Sequence, residues 1–207
     1  MRKRNTTPAI SARRHQVFDA VLSTFQPGRL VDLGAGHGGY ARRAADAGWT
    51  VTAVDARDDR FPDDSRITWI KQDVREFDLT GFDLVLCLGL WYHLTVDDQM
   101  SLLIKMARNG SPVVIDTHVA TDNPTFKLSD PVVQNGYTGR LYNEKGWKTR
   151  LTASWNNTES FWPAEDEFYR MLAEHGFPVV FAATPWVTRD RTFFLCAPGP
   201  QQESTGE

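Results

Sequence analysis

The stretch VDLGAGHGGY, residues 31–40, decides the fold of this chain. An apolar run leads into three alternating glycines, Gly34, Gly36 and Gly38. Glycines directly after a buried strand let the backbone approach a nucleotide closely, because a side chain there would block the ligand. Asp55 lies nineteen residues after Gly36, where a carboxylate can accept hydrogen bonds from ribose hydroxyls. The stretch therefore predicts a nucleotide-binding turn at the carboxyl end of the first strand.

Length and composition indicate a single globular domain. The chain has 207 residues, of which 41% are hydrophobic and 24% charged, as is usual for such domains. No apolar run approaches the length of a membrane span, and no apolar stretch follows the basic N-terminus as it would in a secretory signal. Cys87 and Cys196 are too few and too far apart for a disulfide framework or a zinc site. We therefore expect a cytoplasmic protein with reduced thiols and no membrane association.

Charge is distributed unevenly along the chain. Lysine and arginine number 23 against 26 acidic residues, for a net charge of −3. Five of the basic residues fall within residues 1–14, which leaves 18 basic against 26 acidic residues in the rest of the chain. A net-acidic body weighs against a nucleic acid partner, which needs a basic face. Residues 1–14 are predicted to form a solvated basic arm.

Apolar patterning predicts helices alternating with strands. The predicted helices are about 10–25, 40–47, 95–108 and 164–174, the second of these starting after the glycines. The predicted strands are 29–33, 50–54, 66–71, 82–88, 113–116, 179–182 and 192–196. This alternation predicts an α/β fold, a Rossmann-like, doubly wound sheet of seven mostly parallel strands, and the late strand pair predicts a reversed edge strand. Thr95 with Asp98 forms the pattern of a helix-capping box.

One long segment interrupts this alternation. Residues 117–162 follow the fifth strand, are polar with several aromatics and show little periodicity. A connection of that length predicts a functional lid inserted into a single domain over 15–197, although a surface elaboration or a homodimer contact is the alternative. Residues 198–207, PGPQQESTGE, are predicted to be a disordered tail.

The glycines alone do not distinguish a dinucleotide from other nucleotides, because Gly39 also satisfies the dinucleotide spacing. Asp32, two residues before the first glycine, can face a bound cation. S-adenosylmethionine carries an ammonium and a sulfonium, whereas a carboxylate here would repel the pyrophosphate of NAD. After the third strand, Asp73 can accept from an adenine amino group and Val74 can cover the ring. These features favour S-adenosylmethionine.

Four motifs together resemble the class I S-adenosylmethionine-dependent methyltransferases over about residues 15–197. They are VDLGAGHGG (31–39), VTAVDA (51–56), QDVREF (72–77) and FDLVLCLGLWYHL (82–94). The resemblance implies that S-adenosylmethionine is the methyl donor and that S-adenosylhomocysteine is the product. The cofactor-binding residues it implies are Asp32, Gly34, Ala35 and Gly36 for the methionine end, Asp55 and Ala56 for the ribose, Asp73 and Val74 for the adenine, and Leu88 and Gly89 beside the transferring methyl.

A narrower resemblance rests on three further segments. LGLWYHL (88–94), GRLYNE (139–144) and SFWPAEDEFYRMLAEHGF (160–177) are similar to small-molecule O-methyltransferases and to tRNA wobble-uridine carboxymethyl-transfer enzymes. The acidic body of the chain weighs against the RNA substrate.

Methyl transfer to a hydroxyl requires a general base or a metal to remove the proton. His93, which follows the fourth strand, and His118, which ends the fifth, are the candidate bases, with Asp116 as an orienting group. Magnesium is possible, through Asp116 and the pair Asp122-Asn123, but the gap between them is irregular and we favour a metal-free site.

Aromatic and basic side chains in the lid and after the fourth strand suggest a flat or ring-shaped acceptor with an acidic group. The candidate substrate-binding residues are Trp91, Tyr92, Arg140, Tyr142, Trp155 and Trp162, with Lys145, Trp147, Lys148 and Arg150 in the same segment. The expected function is O-methylation of a small molecule such as a saccharide or secondary metabolite. The alternatives are an RNA-modifying methyltransferase and a non-catalytic cofactor-binding subunit.

Overall fold

A computed structural model describes residues 8–144, 154–184 and 191–199. Its helices are α1 (Pro8–Leu22), α2 (Gly39–Asp46), α3 (Val96–Asn109) and α4 (Glu165–Glu174), with a short 3₁₀ turn over Trp91–His93. Its strands are β1 (Arg29–Leu33), β2 (Thr50–Asp55), β3 (Ile67–Lys71), β4 (Leu84–Leu88), β5 (Val113–His118), β6 (Val132–Gln134), β7 (Tyr137–Asn143), β8 (Glu159–Pro163), β9 (Val179–Ala183) and β10 (Arg191–Ala197).

Seven strands form one sheet in the order β3-β2-β1-β4-β5-β10-β9. The first five strands are parallel, and β10 runs antiparallel to both β5 and β9. The predicted doubly wound sheet of seven mostly parallel strands is therefore confirmed, with one reversed strand. The reversed strand itself, β10, lies one position inside the edge, so its first residue, Arg191, pairs with His118 at the carboxyl end of β5.

Apolar residues cover both faces of this sheet. All five residues of β4 are buried, as expected of a central parallel strand with helices on either side. Residues of α1 and α2 belong to the apolar cluster on one face, and residues of α3 and α4 belong to the cluster on the other. Thr95 caps α3 by accepting a hydrogen bond from the Asp98 amide at 3.2 Å, which is one of the two bonds of the predicted capping box. The helices thus fix the sheet and leave its carboxyl edge open to ligand.

The first helix is displaced toward the N-terminus from its predicted position. It begins at Pro8 rather than Ile10, and it ends at Leu22 because the hydroxyls of Ser23 and Thr24 bond the carbonyls of Ala20 and Val21. The prediction of a solvated basic arm over 1–14 is therefore wrong for its second half, which is helical. Arg2, Lys3 and Arg4 lie outside the described residues.

The predicted irregular lid over 117–162 is also corrected, because β6, β7 and β8 form a second, antiparallel sheet within it. Asn135 and Gly136 connect β6 to β7 with φ values of 50° and 82°, the tight turn for which Asn-Gly is favoured. Hydrogen bonds join this sheet to the rest of the chain, such as Phe161 N–H to the Leu94 carbonyl at 3.0 Å. We call residues 119–163 the insertion.

Some predictions fall outside the described residues. Lys145, Trp147, Lys148 and Arg150 belong to residues 145–153, and most of the predicted tail belongs to residues 200–207. The tail's second residue, Gly199, donates its amide to the Gly176 carbonyl at 2.9 Å, so the tail is ordered at its start. Within the described part of the chain, every helix is too short or too polar to span a bilayer.

Candidate functional site

A cavity of about 400 Å³ opens at the carboxyl ends of the parallel strands. Its lining includes residues that directly follow or end β1, β2 and β4, among them Gly34, Asp55 and Leu88, together with Asp73 after β3. Ligands of doubly wound sheets bind at this edge, where the loops diverge. Of the ten predicted cofactor residues, the eight that line it are Gly34, Ala35, Asp55, Ala56, Asp73, Val74, Leu88 and Gly89.

The glycine turn is held in place by backbone hydrogen bonds to β2. Gly34 has a φ of +71°, and its amide and that of Ala35 both donate to the Val54 carbonyl, at 2.8 and 3.1 Å. The Gly36 amide donates to Asp55 Oδ2 at 2.9 Å. Gly36 does not line the cavity, so it acts by fixing the Asp55 carboxylate rather than by facing a ligand.

Asp55 ends β2 and is 7% exposed, with that exposure inside the cavity. Its carboxylate accepts the amides of Gly36 and Arg57 at 2.9 Å each and, more weakly, the Arg60 guanidinium at 3.3 Å. A carboxylate offers about four acceptor positions, so the two long Arg60 contacts are the ones that ribose hydroxyls can replace. The geometry fits the predicted ribose site.

Asp73 and Val74 also lie where the sequence predicts the adenine. Val74 is buried at the cavity wall. The Asp73 carboxylate, however, accepts a forked pair of bonds from Arg75, with Nη2 at 2.5 Å, and this lowers the pKa of Asp73. An adenine amino group would therefore share this carboxylate with Arg75, which lines the cavity beside it.

Asp32 is placed differently from its prediction. It is only 2% exposed and does not line the cavity. It lies within β1, where it accepts a backbone hydrogen bond from Ala41 of α2. Burial first, and then the nearby charge of Asp55, raise the pKa of Asp32 to about 7. Asp32 therefore fastens α2 beneath the glycine turn and does not face a cation directly.

The raised pKa of Asp32 makes stability depend on pH. The unfolded chain ionises this group from about pH 4, whereas the folded chain keeps it protonated to about pH 7, so the free energy of unfolding falls across that interval and is flat above it. Asp32→Asn removes this penalty, so its free energy of unfolding is expected to exceed that of the wild type by roughly 4 kcal/mol above pH 7 and to match it below pH 4. Urea unfolding at several pH values measures the difference, with Asp122→Asn as the exposed control. Parallel curves for Asp32→Asn and the wild type would contradict the assignment.

His93 and Glu144 form a hydrogen-bonded pair at the other end of the cavity. His93, in the 3₁₀ turn after β4, lines the cavity, and its Nδ1 lies 2.8 Å from Glu144 Oε1. A carboxylate accepts, so Nδ1 carries the proton and Nε2 is the free, basic nitrogen. Of the three predicted catalytic residues, His93 is the one that reaches the cavity.

Glu144 is a site residue that the sequence analysis missed. It is 2% exposed. Besides its contact with His93, its carboxylate accepts hydrogen bonds from the Ser160 hydroxyl at 3.0 Å and the Ser154 amide at 3.2 Å. It directly follows β7, in the segment GRLYNE that carries the narrower resemblance. An acid next to the end of a strand in that segment was the available signal, but its partner lies 51 residues away in the sequence.

His118 and Asp116 do not face the cavity, which corrects their prediction as catalytic groups. The His118 ring stacks on Trp162, with centroids 4.8 Å apart and an interplanar angle of 3°. Asp116 is fully buried and accepts hydrogen bonds from Arg14 and Arg191 on its two carboxylate oxygens. Asp116 thus positions two arginines that themselves line the cavity.

The predicted substrate-binding residues divide into two groups. Tyr92 and Trp155 line the cavity, and Trp155, 46% exposed, lies 5.2 Å from the Arg57 guanidinium. The other four do not line the cavity, which corrects their prediction as substrate-binding residues. Trp91 is buried against Phe168, and the Trp162 indole donates to the Tyr92 carbonyl. Tyr142 stacks on Trp162, and Arg140 pairs with Asp122. These side chains build the core of the insertion and its surface, because the small second sheet needs its own apolar packing.

The cavity fits S-adenosylmethionine by its donors and acceptors. A buried carboxylate at Asp55 suits a vicinal diol, the volume suits a ligand of that size, and Nε of Arg60 is buried without a partner among the described residues. Within residues 8–144, 154–184 and 191–199, no three metal-ligating side chains converge on one point. Asp116 is buried whereas Asp122 is 93% exposed, so the pair considered for magnesium does not come together.

Comparisons with known proteins agree with this geometry. The family model described as a methyltransferase domain matches residues 4–181. No curated protein sequence matches the chain significantly. Among solved structures, similarity extends to the N-terminal domain of EvdMO1 with S-adenosylhomocysteine bound, at a TM-score of 0.65 and 19% identity over 93% of this chain and 80% of that one.

Two further solved structures share the fold. The Burkholderia thailandensis 1,6-didemethyltoxoflavin N1-methyltransferase gives a TM-score of 0.63 and 19% identity, over 93% of this chain and 79% of that one. The glycopeptide N-methyltransferase MtfA with S-adenosyl-L-methionine gives a TM-score of 0.61 and 16% identity, over 96% of this chain and 100% of that one. The chain therefore belongs to the methyltransferase domain family and is a class I S-adenosylmethionine-dependent methyltransferase.

Proposed function

We propose that this enzyme methylates a hydroxyl group of a small molecule, with His93 as the general base. The observation that carries the proposal is the His93–Glu144 pair, in which His93 lines the same cavity as Asp55 and Glu144 holds its ring from behind. When bound, S-adenosylmethionine supplies an electrophilic methyl group on a sulfonium. The chain's own residues must hold the acceptor in line with that methyl, exclude water and remove the acceptor's proton.

The cofactor contacts that we propose follow the lining of the cavity. Asp55 binds the ribose hydroxyls in place of the long Arg60 contacts. Val74 covers the adenine, and the backbone of Gly34 and Ala35 faces the methionine end. Gly89 has a φ of +86° and brings its backbone next to the reacting centre.

His93 Nε2 takes the hydroxyl proton as the oxygen attacks. Glu144 fixes the imidazole in the required tautomer and stabilises the imidazolium that forms, and it is a positioning residue because the ring separates it from the acceptor. Two hydrogen bonds from Ser160 and Ser154 hold the carboxylate itself. The pair is thus oriented before the acceptor arrives, which is what general-base catalysis needs.

The pair favours oxygen over nitrogen as the acceptor atom. A neutral amine attacks a sulfonium without prior deprotonation, whereas a hydroxyl is a weak nucleophile until its proton leaves. Solved relatives include N-methyltransferases and a structure described as an O-methyltransferase, so the fold alone does not decide. A histidine oriented by a buried glutamate is machinery that a hydroxyl acceptor requires.

The other functions remain alternatives with less support. An RNA substrate would use the basic arm, but Arg14 is committed to Asp116 inside the fold. A non-catalytic subunit would not need an oriented base in its cavity. The cytoplasmic location and a homodimer stay predictions.

The acceptor atom can be tested directly. The enzyme, S-adenosylmethionine with a ¹³C-labelled methyl group and a panel of hydroxylated and aminated ring compounds are expected to give methyl ethers, identified by the carbon shift of the transferred methyl. The panel should pair each hydroxyl compound with the amine of the same skeleton, so that shape is matched. Label found on nitrogen alone would overturn the proposal while leaving the methyltransferase assignment intact.

A further inference from the structure

Two arginines border the cavity, are joined by one buried carboxylate behind it, and take no part in the proton transfer. Arg14 comes from α1 and Arg191 begins β10, and both line the cavity. Arg14 Nη2 donates to Asp116 Oδ2, and Arg191 Nε donates to Oδ1 at 2.8 Å. Because one buried carboxylate faces two guanidinium groups, the cluster Arg14–Asp116–Arg191 carries an excess positive charge. We call it the arginine cluster.

The arginine cluster keeps hydrogen-bond donors to spare. Arg14 Nε is buried and has no partner among the described residues. Arg191 Nη1 donates to the Tyr92 hydroxyl at 3.2 Å, and Nη2 makes no hydrogen bond to any residue that the structure describes. A buried donor left unpaired is unfavourable, so an acceptor group placed here would gain a hydrogen bond that the described residues do not supply.

Arg191 lies beside Gly89, the residue that the proposed function puts next to the transferring methyl. A Cβ built on Gly89 would come within 2.7 Å of Arg191 Nη2, so only the missing side chain lets the guanidinium reach that backbone. Arg191 Cζ lies 5.0 Å from the centre of the Tyr92 ring, and that centre is 4.4 Å from the His93 ring. The cation and the base therefore lie within a distance that one substituted six-membered ring can span.

We propose that the arginine cluster binds a carboxylate on the methyl acceptor, so that the acceptor is a hydroxy acid built on a single ring. This inference rests on the proposed function, since the hydroxyl is the group presented to His93. An excess cation next to a sulfonium is unfavourable by itself, and an anionic acceptor neutralises it. The same guanidinium groups would also donate hydrogen bonds to a phosphate, and the cofactor's own carboxylate is the competing occupant.

The test uses protein saturated with S-adenosylhomocysteine, so that any site for the cofactor carboxylate is already filled. Sodium formate or inorganic phosphate is titrated at constant ionic strength, and the side-chain Nε–H resonances of Arg14 and Arg191 are followed by NMR. We expect saturable shifts for formate, weaker or absent ones for phosphate, and at least about tenfold weaker binding in Arg191→Gln. Arg191→Lys should restore part of the affinity, and Arg140→Gln is the matched control outside the cavity.

Each outcome bears on the proposal separately from the proposed function. Arg14→Gln and Arg191→Gln each leave Asp116 one partner, and both should bind S-adenosylhomocysteine within about threefold of the wild type. A large loss of that binding in either variant would assign the cluster to the cofactor and overturn the proposal. Stronger shifts with phosphate than with formate would overturn the carboxylate proposal in favour of a phosphate on the acceptor. The absence of shifts with both anions would show that the arginine cluster does not bind an anion. His93→Gln should titrate like the wild type, so failure of the base assignment would leave this result unchanged.

Discussion

Replacing His93 by glutamine is expected to lower kcat by about three orders of magnitude while leaving cofactor affinity unchanged. Removal of a general base costs about 10²–10⁴-fold, and glutamine preserves much of the volume and the hydrogen bond to Glu144. Glu144→Gln should give a loss of similar size, because the amide can donate to Nδ1 and so leaves the proton on Nε2, where the base is needed. Turnover with the ¹³C-methyl assay and calorimetry with S-adenosylhomocysteine measure the two quantities separately.

Two control variants separate loss of the base from loss of cofactor binding and from a general effect of replacing a histidine. Asp55→Ala should do the reverse of His93→Gln and weaken S-adenosylhomocysteine binding, because its carboxylate holds the Gly36 amide and faces the cavity. His118→Gln should leave turnover close to the wild type, since that ring packs on Trp162 outside the cavity. An unchanged kcat in His93→Gln would refute the assignment of His93 as the general base. Loss of turnover in His118→Gln alone would assign that role to His118 instead.

Asp116→Ala is expected to destabilise the fold by about 3–5 kcal/mol. The substitution leaves two guanidinium groups facing each other without the carboxylate that both use, and breaking a buried ion pair from one side is strongly unfavourable. The loss also removes the side-chain bonds from β5 to Arg14 of α1 and to Arg191 of β10. Urea unfolding followed by circular dichroism gives the free energy of unfolding.

The matched control for this change is Asp122→Ala. Asp122 also pairs with an arginine, Arg140, but its side chain is 93% exposed, so its stability should equal that of the wild type within error. Equal stability of Asp116→Ala and Asp122→Ala would show that the arginine cluster does not hold the fold together. Asp116→Asn keeps the shape and should fall between the two.

The sheet and half of the site follow from local sequence patterns. Strands at the centre of a parallel sheet are continuous apolar runs, and the residues that follow them must meet at one edge. That rule placed Gly34, Asp55 and Leu88 in one cavity without any knowledge of distant contacts. The same rule put Asp116 and His118 at the correct edge but could not say which way their side chains point.

The remaining half depends on contacts that no local pattern encodes. Glu144 reaches His93 only because the insertion folds into its own sheet, and Arg14 reaches Asp116 across 102 residues of sequence. The insertion did carry one readable signal, since Asn135-Gly136 is typical of a tight hairpin. Its aromatic residues suggested a ligand surface, but Tyr142 and Trp162 are needed to give a three-stranded sheet a core.

Glu144 belongs to the insertion, whereas the residues around Asp55 belong to the main sheet. Under the proposed function, the residues that bind the methyl donor and the glutamate that orients the base therefore lie in separate parts of the chain. His93 itself follows β4 of the main sheet, so a different insertion would leave the base in place and remove only the group that orients it. Donor binding would then persist while the preference for a hydroxyl over an amine weakens.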